Sequence, residues 1–323
     1  MPSSAVYSGF ERFTYNNELT EVTFAKGVTK IGEYAFQECS SLAVITIPDS
    51  VTSICVMAFD GCSSLTAITI PDSVTWIGDS AFDGCSSLAA ITISDSVTWI
   101  GNSAFEGCSS LAAITIPDSV TWIDEGAFYR CSSITAITIP DSVTTICAYA
   151  FAECSSLTAI TIPDSVTTIG ECAFYACSSL TAITIPDRVT TIGDSAFEDC
   201  SSLTAITIPD GVTSIGDEAF RDCSALTKLS LSPTVSIGED CFTNCTALIS
   251  AAADQNMSTV EDLLHSRWHR ILERTTVLTC LKILFTDQKK RNREDGGEAQ
   301  TLGVTAVRKR LPKVMWRVIL EFL

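Results

Sequence analysis

Apolar and polar residues alternate along most of the chain in a unit that recurs every 23 residues. Its Ile-Thr-Ile segment has a period of two, which predicts a short β-strand, and the proline that usually follows removes a ladder donor and ends the strand. Residues 79–85 are too short for a full helix and predict a helical or 3₁₀ turn. One unit has eight apolar positions, occupied by Leu65, Ile68, Ile70, Val74, Ile77, Ala81, Phe82 and Cys85.

Two columns of identical residues mark ten such units, of which the first and last are imperfect. A phenylalanine precedes each repeat cysteine by three residues, from Phe36 to Phe242. A unit of this size cannot bury its own apolar face, so successive coils must stack, with parallel strands about 4.8 Å apart. The pattern therefore predicts a repeat solenoid with a phenylalanine spine. The repeat cysteines are Cys39, Cys62, Cys85, Cys108, Cys131, Cys154, Cys177, Cys200, Cys223 and Cys245.

At these residues the chain resembles the BspA-type branch of the leucine-rich repeat superfamily, whose pattern is LxxIxIPxxVxxIxxxAFxxCxx. The similarity runs from Val22 to Leu248. It implies a right-handed coil with a parallel β-sheet face and short turns, used for protein recognition or adhesion rather than catalysis. The asparagine ladder of common leucine-rich repeats is absent, and its turn is occupied by serines: Ser50, Ser73, Ser96, Ser119, Ser142 and Ser165.

The flanking segments predict five regions. Residues 1–21 lack the repeat and are expected to form an N-terminal cap, 22–250 the solenoid, 251–286 a helical C-terminal cap, 287–303 a charged linker and 304–323 a basic amphipathic helix. That helix carries Trp316, Ile319 and Phe322, and part of it resembles the first helix of an F-box over 13 residues. It could fold back on the solenoid, dock on a partner or lie on a membrane.

Charge is divided unequally between the two parts of the chain. Residues 1–254 carry 7 basic and 30 acidic residues, whereas 255–323 carry 13 basic and 8 acidic residues. The net charge of −18 disfavours nucleic acid as the main partner and favours a basic protein. Because no signal peptide or membrane-length apolar segment is evident, we expect an intracellular, cytoplasmic protein with reduced core thiols.

Three tryptophans form the first candidate partner-binding site. Trp76, Trp99 and Trp122 occupy one position of successive coils, next to inward-pointing residues, so their rings are expected to face outward. Exposed apolar patches are often interaction sites, although such a column could equally stabilise neighbouring coils by ring stacking. We name these three residues the tryptophan patch.

The strand threonines form the second candidate site, which we name the threonine column: Thr69, Thr92, Thr115, Thr138 and Thr161. They lie on the outer face of the predicted sheet, beside small alanines. The face is suited to partner binding, and a regular threonine lattice is also what ice-binding solenoids use. The simpler interpretation is the ordinary preference of threonine for strands.

The chain offers little for catalysis or for a cofactor. Aspartates recur in the Pro-Asp turns, where they usually bond to backbone amides, with calcium or a basic partner as the alternative. His265 and His269 lack the glutamate of a zinc-hydrolase motif, and no CxxC occurs. We therefore expect no enzyme, no cofactor and no metal site.

Three functions stay open at this point. The first is a non-enzymatic protein-protein interaction scaffold that uses the solenoid surface, and the second is a cell-surface adhesion protein of the BspA type. An ice-binding solenoid is the third. Recent tandem duplication could also have produced uniform coils without a specialised site.

Overall fold

The computed structural model describes residues 4–230 and 235–248. They form a parallel β-solenoid of about nine turns. All of them except Ala247 and Leu248 belong to the first of two compact units, which spans Met1–Thr246. Of the second unit, Ala247–Leu323, only the first two residues are described. The predicted helical cap, linker and C-terminal helix therefore lie outside the described residues.

Eighteen short strands occur in the described residues. They are β1 (Ser4–Tyr7), β2 (Glu21–Phe24), β3 (Lys30–Ile31), β4 (Ser53–Ile54), β5 (Ala67–Thr69), β6 (Trp76–Ile77), β7 (Ala90–Thr92), β8 (Trp99–Ile100), β9 (Trp122–Ile123), β10 (Ala136–Thr138), β11 (Thr145–Ile146), β12 (Ala159–Thr161), β13 (Thr168–Ile169), β14 (Thr191–Ile192), β15 (Ala205–Thr207), β16 (Ser214–Ile215), β17 (Lys228–Ser230) and β18 (Ser236–Ile237).

Each coil carries two strand positions, and every pairing is parallel. The Ala-Ile-Thr position forms the pairs β5–β7, β10–β12 and β15–β17, while the second position forms two five-stranded sheets, β3-β4-β6-β8-β9 and β11-β13-β14-β16-β18. Equivalent residues of successive coils lie opposite each other, as Ile77 does with Ile100. The repeat period therefore sets the register directly, and each side-chain type forms a column.

The second sheet is interrupted between β9 and β11. In most coils a glycine follows this strand; a Cβ on Gly101, for example, would lie 2.8 Å from the backbone of the preceding coil. At the interruption two successive coils carry Asp124 and Cys147 instead. The interruption thus coincides with two successive coils that lack this glycine.

The third side of each coil is a run of turns, as expected for residues 79–85, without a regular helix. Hydrogen bonds of the 3₁₀ type do occur, since Asp83 N donates to Ser80 O at 3.2 Å. However, Ser80 and Gly84 have φ angles of 49° and 65°, which no right-handed helix allows. The turn instead aims Phe82 N at Ala104 O of the next coil, 2.8 Å away.

The core is made of the predicted columns. Nine phenylalanines from Phe36 to Phe220 are at most 1% exposed, and their rings stack face to face at centroid distances of 5.2–5.7 Å. Phe242 continues the stack at 5.5 Å. At the other end Phe13 stacks on Phe36 at 5.7 Å, and Tyr7 is fully buried. Tyr7 and Phe13 thus extend the aromatic stack beyond the first repeat, and the role of residues 1–21 as a cap stays a prediction.

Candidate recognition surfaces

The tryptophan patch lies on three adjacent strands, β6, β8 and β9. Trp76 is paired in register with Trp99, and Trp99 with Trp122. Their side chains are exposed by 38%, 49% and 41%, while the isoleucine that follows each of them is buried. Strand alternation explains this arrangement, because one residue of each two-residue strand must face outward when its neighbour faces the core.

The indole rings do not stack on each other. In the part of the chain that the structure describes, ring contacts join the phenylalanines and several tyrosines but no pair of tryptophans. The stabilising ring ladder considered for these residues is therefore absent. An open groove of about 530 Å³ lies beside Trp76 and Trp99, and Gly78 and Gly101 are among the residues that line it.

Polar groups border the tryptophan patch on both sides. The hydroxyl groups of Thr98 and Thr121 each donate to the main-chain carbonyl of the threonine one coil before, at 3.2 Å. On the other side Asp79 is exposed, and its Oδ1 accepts a hydrogen bond from Asn102 N at 3.1 Å. The exposed Glu125 continues this acidic border. The patch thus combines exposed aromatic surface with negative charge.

The threonine column is exposed along its whole length, but it does not form one continuous sheet. Thr69 pairs with Thr92, and Thr138 pairs with Thr161. Thr115 lies between these pairs, outside any strand. The interruption makes this face less regular than the sequence indicates, and its use for ice or partner binding stays a prediction.

Serine hydroxyl groups, rather than aspartates, satisfy the backbone at the turn after the first strand. Ser119 Oγ donates to Val97 O at 2.6 Å, and Ser50, Ser73, Ser142 and Ser165 make the equivalent bond to the preceding coil. The turn aspartates are exposed, and among those described Asp72 alone has a side-chain partner, Ser94 Oγ at 2.9 Å. The described turns therefore lack the expected aspartate–amide bonds and have instead a ladder of serine hydroxyls that donate to main-chain carbonyl oxygens.

The repeat cysteines have a role that the sequence does not reveal. Each thiol donates to a phenylalanine carbonyl oxygen of the preceding coil at 3.0–3.3 Å, as Cys131 Sγ does to Phe105 O at 3.0 Å. The cysteines are free and buried, and burial raises the pKa of the Cys39 thiol to about 11. A cysteine at this position is thus both a small core residue and a hydrogen-bond donor.

Other expected features fall partly outside the described residues. Trp316, Ile319, Phe322 and both histidines lie there. Within residues 4–230 and 235–248, no cluster of three or more histidine, cysteine or acidic side chains has a geometry that could hold a metal ion. The same residues include no helix that is long and apolar enough to cross a membrane.

Comparisons with known proteins agree with this architecture. The family model for the BspA type leucine rich repeat region matches six copies, over residues 7–135 and 121–249. A leucine-rich repeat protein from Bacteroides ovatus is similar in structure, with 33% identity, a TM-score of 0.62 and coverage of 76% of this chain and 68% of that chain. A leucine rich cell surface protein from Faecalibacterium prausnitzii has 36% identity, a TM-score of 0.51 and 73% coverage of both chains. None of the curated proteins matches the chain.

Proposed function

Because the chain belongs to the BspA-type leucine-rich repeat family, we propose that it is a non-enzymatic protein-recognition module whose tryptophan patch contacts a partner protein. Leucine-rich repeat proteins generally bind proteins. The observation that carries the proposal is the in-register exposure of Trp76, Trp99 and Trp122 next to an acidic border.

The chemistry of the patch favours a basic partner. Tryptophan is enriched among the residues that dominate binding energy at protein interfaces, and its ring is the best partner for a cation. Asp79 and Glu125 add negative charge at the border, so lysine or arginine side chains can contact an indole face and a carboxylate together. Such a complex should form faster at low ionic strength, because the acidic surface attracts a basic protein.

The test replaces the three tryptophans by threonine in the full chain. Threonine occupies the same column at Thr145, Thr168 and Thr191, so the backbone of these coils accepts it. The matched control changes those three threonines to serine, as found at Ser214. Partners are captured from extracts of the native cell and quantified by mass spectrometry, and binding of each captured protein is then measured with purified components.

We expect a partner that binds the serine control with unchanged affinity and the tryptophan variant at least about tenfold more weakly. Hot-spot truncations cost about 2 kcal/mol or more each. Equal binding by both variants would remove the tryptophan patch from the proposal and leave the remaining solenoid faces as candidates.

A second candidate function is adhesion at the cell surface. It is favoured by the similarity to the cell surface protein of Faecalibacterium prausnitzii. Treating intact cells with a membrane-impermeant biotin reagent separates the two possibilities. Biotinylation of this chain in intact cells would support adhesion, whereas biotinylation only after lysis would support an internal partner.

A further inference from the structure

One groove lies where the repeat departs most from its consensus. On the third side of the coils, the last position before the repeat cysteine is glycine at three successive coils, ending at Gly107. The next four coils carry Arg130, Glu153, Ala176 and Asp199 at this position. These side chains and a parallel column of serines line an open groove of about 720 Å³.

One end of the groove is held in place by interactions between adjacent coils. Glu153 receives two donors from the preceding coil: Tyr129 OH lies 2.8 Å from its Oε1, and Arg130 Nε lies 3.1 Å from its Oε2. The Arg130 guanidinium also covers the ring of Tyr129 at 4.7 Å. Since these side chains are already ordered, a ligand that uses Glu153 loses less entropy on binding.

The centre of the groove is a gap above Ala176. Its small side chain lies in the column between Glu153 and Asp199, and Tyr175 also lines the groove. Burial, together with the Asp199, Glu198 and Glu153 carboxylates, raises the pKa of Tyr175, which is consistent with a negative potential at this point. Asp199 has no cationic partner among the described ion pairs.

A column of serines also lines the groove: Ser109, Ser132, Ser155, Ser178 and Ser201. Ser178 donates its hydroxyl hydrogen to Ser155 O at 3.5 Å, and Ser109 donates to Ser86 O at 3.4 Å. Their oxygen lone pairs remain available for a ligand. A lysine ammonium, which has several donors and no acceptor, can bond to these oxygen atoms.

We propose that the Ala176 groove binds a lysine side chain on an extended segment of a partner protein. The ammonium group lies between Glu153 and Asp199, and the face of Tyr175 contacts the cation. The partner's main chain runs along the serine column. This site lies on a different side of the coil from the tryptophan patch, so it does not depend on the function proposed above.

The experiment measures binding of a fluorescent peptide of alternating lysine and serine to the full chain at low salt, with an alternating glutamate–serine peptide as the reference. The blocking variant is Ala176→Arg, which the backbone accepts because Arg130 occupies the same column with a φ of 60° against 55° at Ala176. The matched control is Ala182→Arg, which adds the same charge on the exposed strand face, where Lys228 occupies the equivalent position.

We expect Ala176→Arg to lower the affinity for the lysine peptide by about tenfold or more. Ala182→Arg should lower it by less than about twofold, because only Ala176→Arg puts a like charge in the site. Asp199→Asn, which keeps the shape of the groove, should also weaken binding. The triple tryptophan-to-threonine variant should bind as the unaltered chain does. Circular dichroism verifies that each variant is folded.

Three results would overturn the proposal. Equal weakening by the two arginine variants would mean attraction by the overall charge alone. Loss of peptide binding in the tryptophan variant would place the lysine at the tryptophan patch. Absence of a preference for the lysine peptide over the glutamate peptide would exclude a lysine site altogether.

Discussion

The thiol of Cys85 donates a hydrogen bond to the main-chain carbonyl oxygen of Phe59, 3.2 Å away in the preceding coil. The same oxygen accepts the main-chain N–H of Cys62 at 3.1 Å. Both lone pairs of a buried carbonyl are thereby used, one within the coil and one between coils. The repeated cysteine thus links neighbouring coils without a disulfide, and alanine could not replace it fully.

Replacing Cys108 by alanine should lower the free energy of unfolding by about 1–2 kcal/mol. The change removes the donor to Phe82 O, 3.2 Å away, and leaves a small cavity at a fully buried site. Urea denaturation followed by circular dichroism measures the effect. Cys147→Ala is the control, because this residue is half-buried and its replacement should lower the free energy of unfolding by less than about 0.5 kcal/mol. Equal costs would argue against a role for the thiol hydrogen bond.

Alkylation should separate the described cysteines into two groups. Cys55, Cys147 and Cys172 are half-buried and should react with iodoacetamide in the folded protein, whereas the buried repeat cysteines and Cys241 should react only after denaturation. Burial and the Asp124 and Glu125 carboxylates raise the pKa of Cys147 to about 11, so its reaction should be slow at pH 8 and accelerate up to about pH 11. Peptide mass spectrometry gives each rate. Reaction of Cys108 as fast as Cys147 would contradict this grouping.

Truncating one internal ring of the phenylalanine column should have a large cost. Phe128 is fully buried and stacks on Phe105 at 5.4 Å and on Phe151 at 5.6 Å. Phe128→Ala should therefore lower the free energy of unfolding by about 3–5 kcal/mol, as measured in urea. Phe10, whose side chain is 87% exposed, provides the control, and Phe10→Ala should leave stability nearly unchanged. A cost below about 1 kcal/mol at Phe128 would show that the coils close over the cavity.

Stability should fall as the pH rises from about 4 to about 7, in part because of Asp83. Burial and the Glu106 and Asp60 carboxylates of the adjacent coils raise the pKa of Asp83 from 3.8 to about 7. In this range the folded chain retains a proton that the unfolded chain has released, so the free energy of unfolding decreases with pH and becomes level above about 7.

Asp83→Asn should remove this part of the pH dependence and make the protein more stable than the unaltered chain above pH 7. Thermal unfolding across the pH range measures the difference, and Asp95→Asn, at an exposed turn, is the control. An unchanged slope in Asp83→Asn would show that the stacked carboxylates are better solvated than their position indicates.

Sequence reasoning identified the buried columns because their physical basis is local and repeated. Each 23-residue unit has the same apolar positions, and they can be buried only if equivalent residues stack on one another. The phenylalanine spine, the outward tryptophans and the parallel pairing follow from that requirement. The serines of the turn were also recognisable as a substitute for the asparagine ladder, although their acceptors were not.

The turn geometry needed the structure. The spacing of residues 79–85 is compatible with a helical turn, and the positive φ of Ser80 follows from pairing with the next coil, since its N–H donates to Asn102 O at 2.7 Å. The acceptor of each thiol lies 25 or 26 residues earlier, so no local pattern announces it.

The sequence by itself thus determined the fold class, the register and the composition of the core, because a strict repeat admits one way to bury its apolar positions. The tertiary structure decided how the exposed side chains are arranged around one another. The unstacked indoles of Trp76 and Trp99 and the gap over Ala176 between Glu153 and Asp199 depend on how side chains from different coils are oriented. Those orientations are set by contacts between coils, which residues far apart in the sequence make only after the chain has folded.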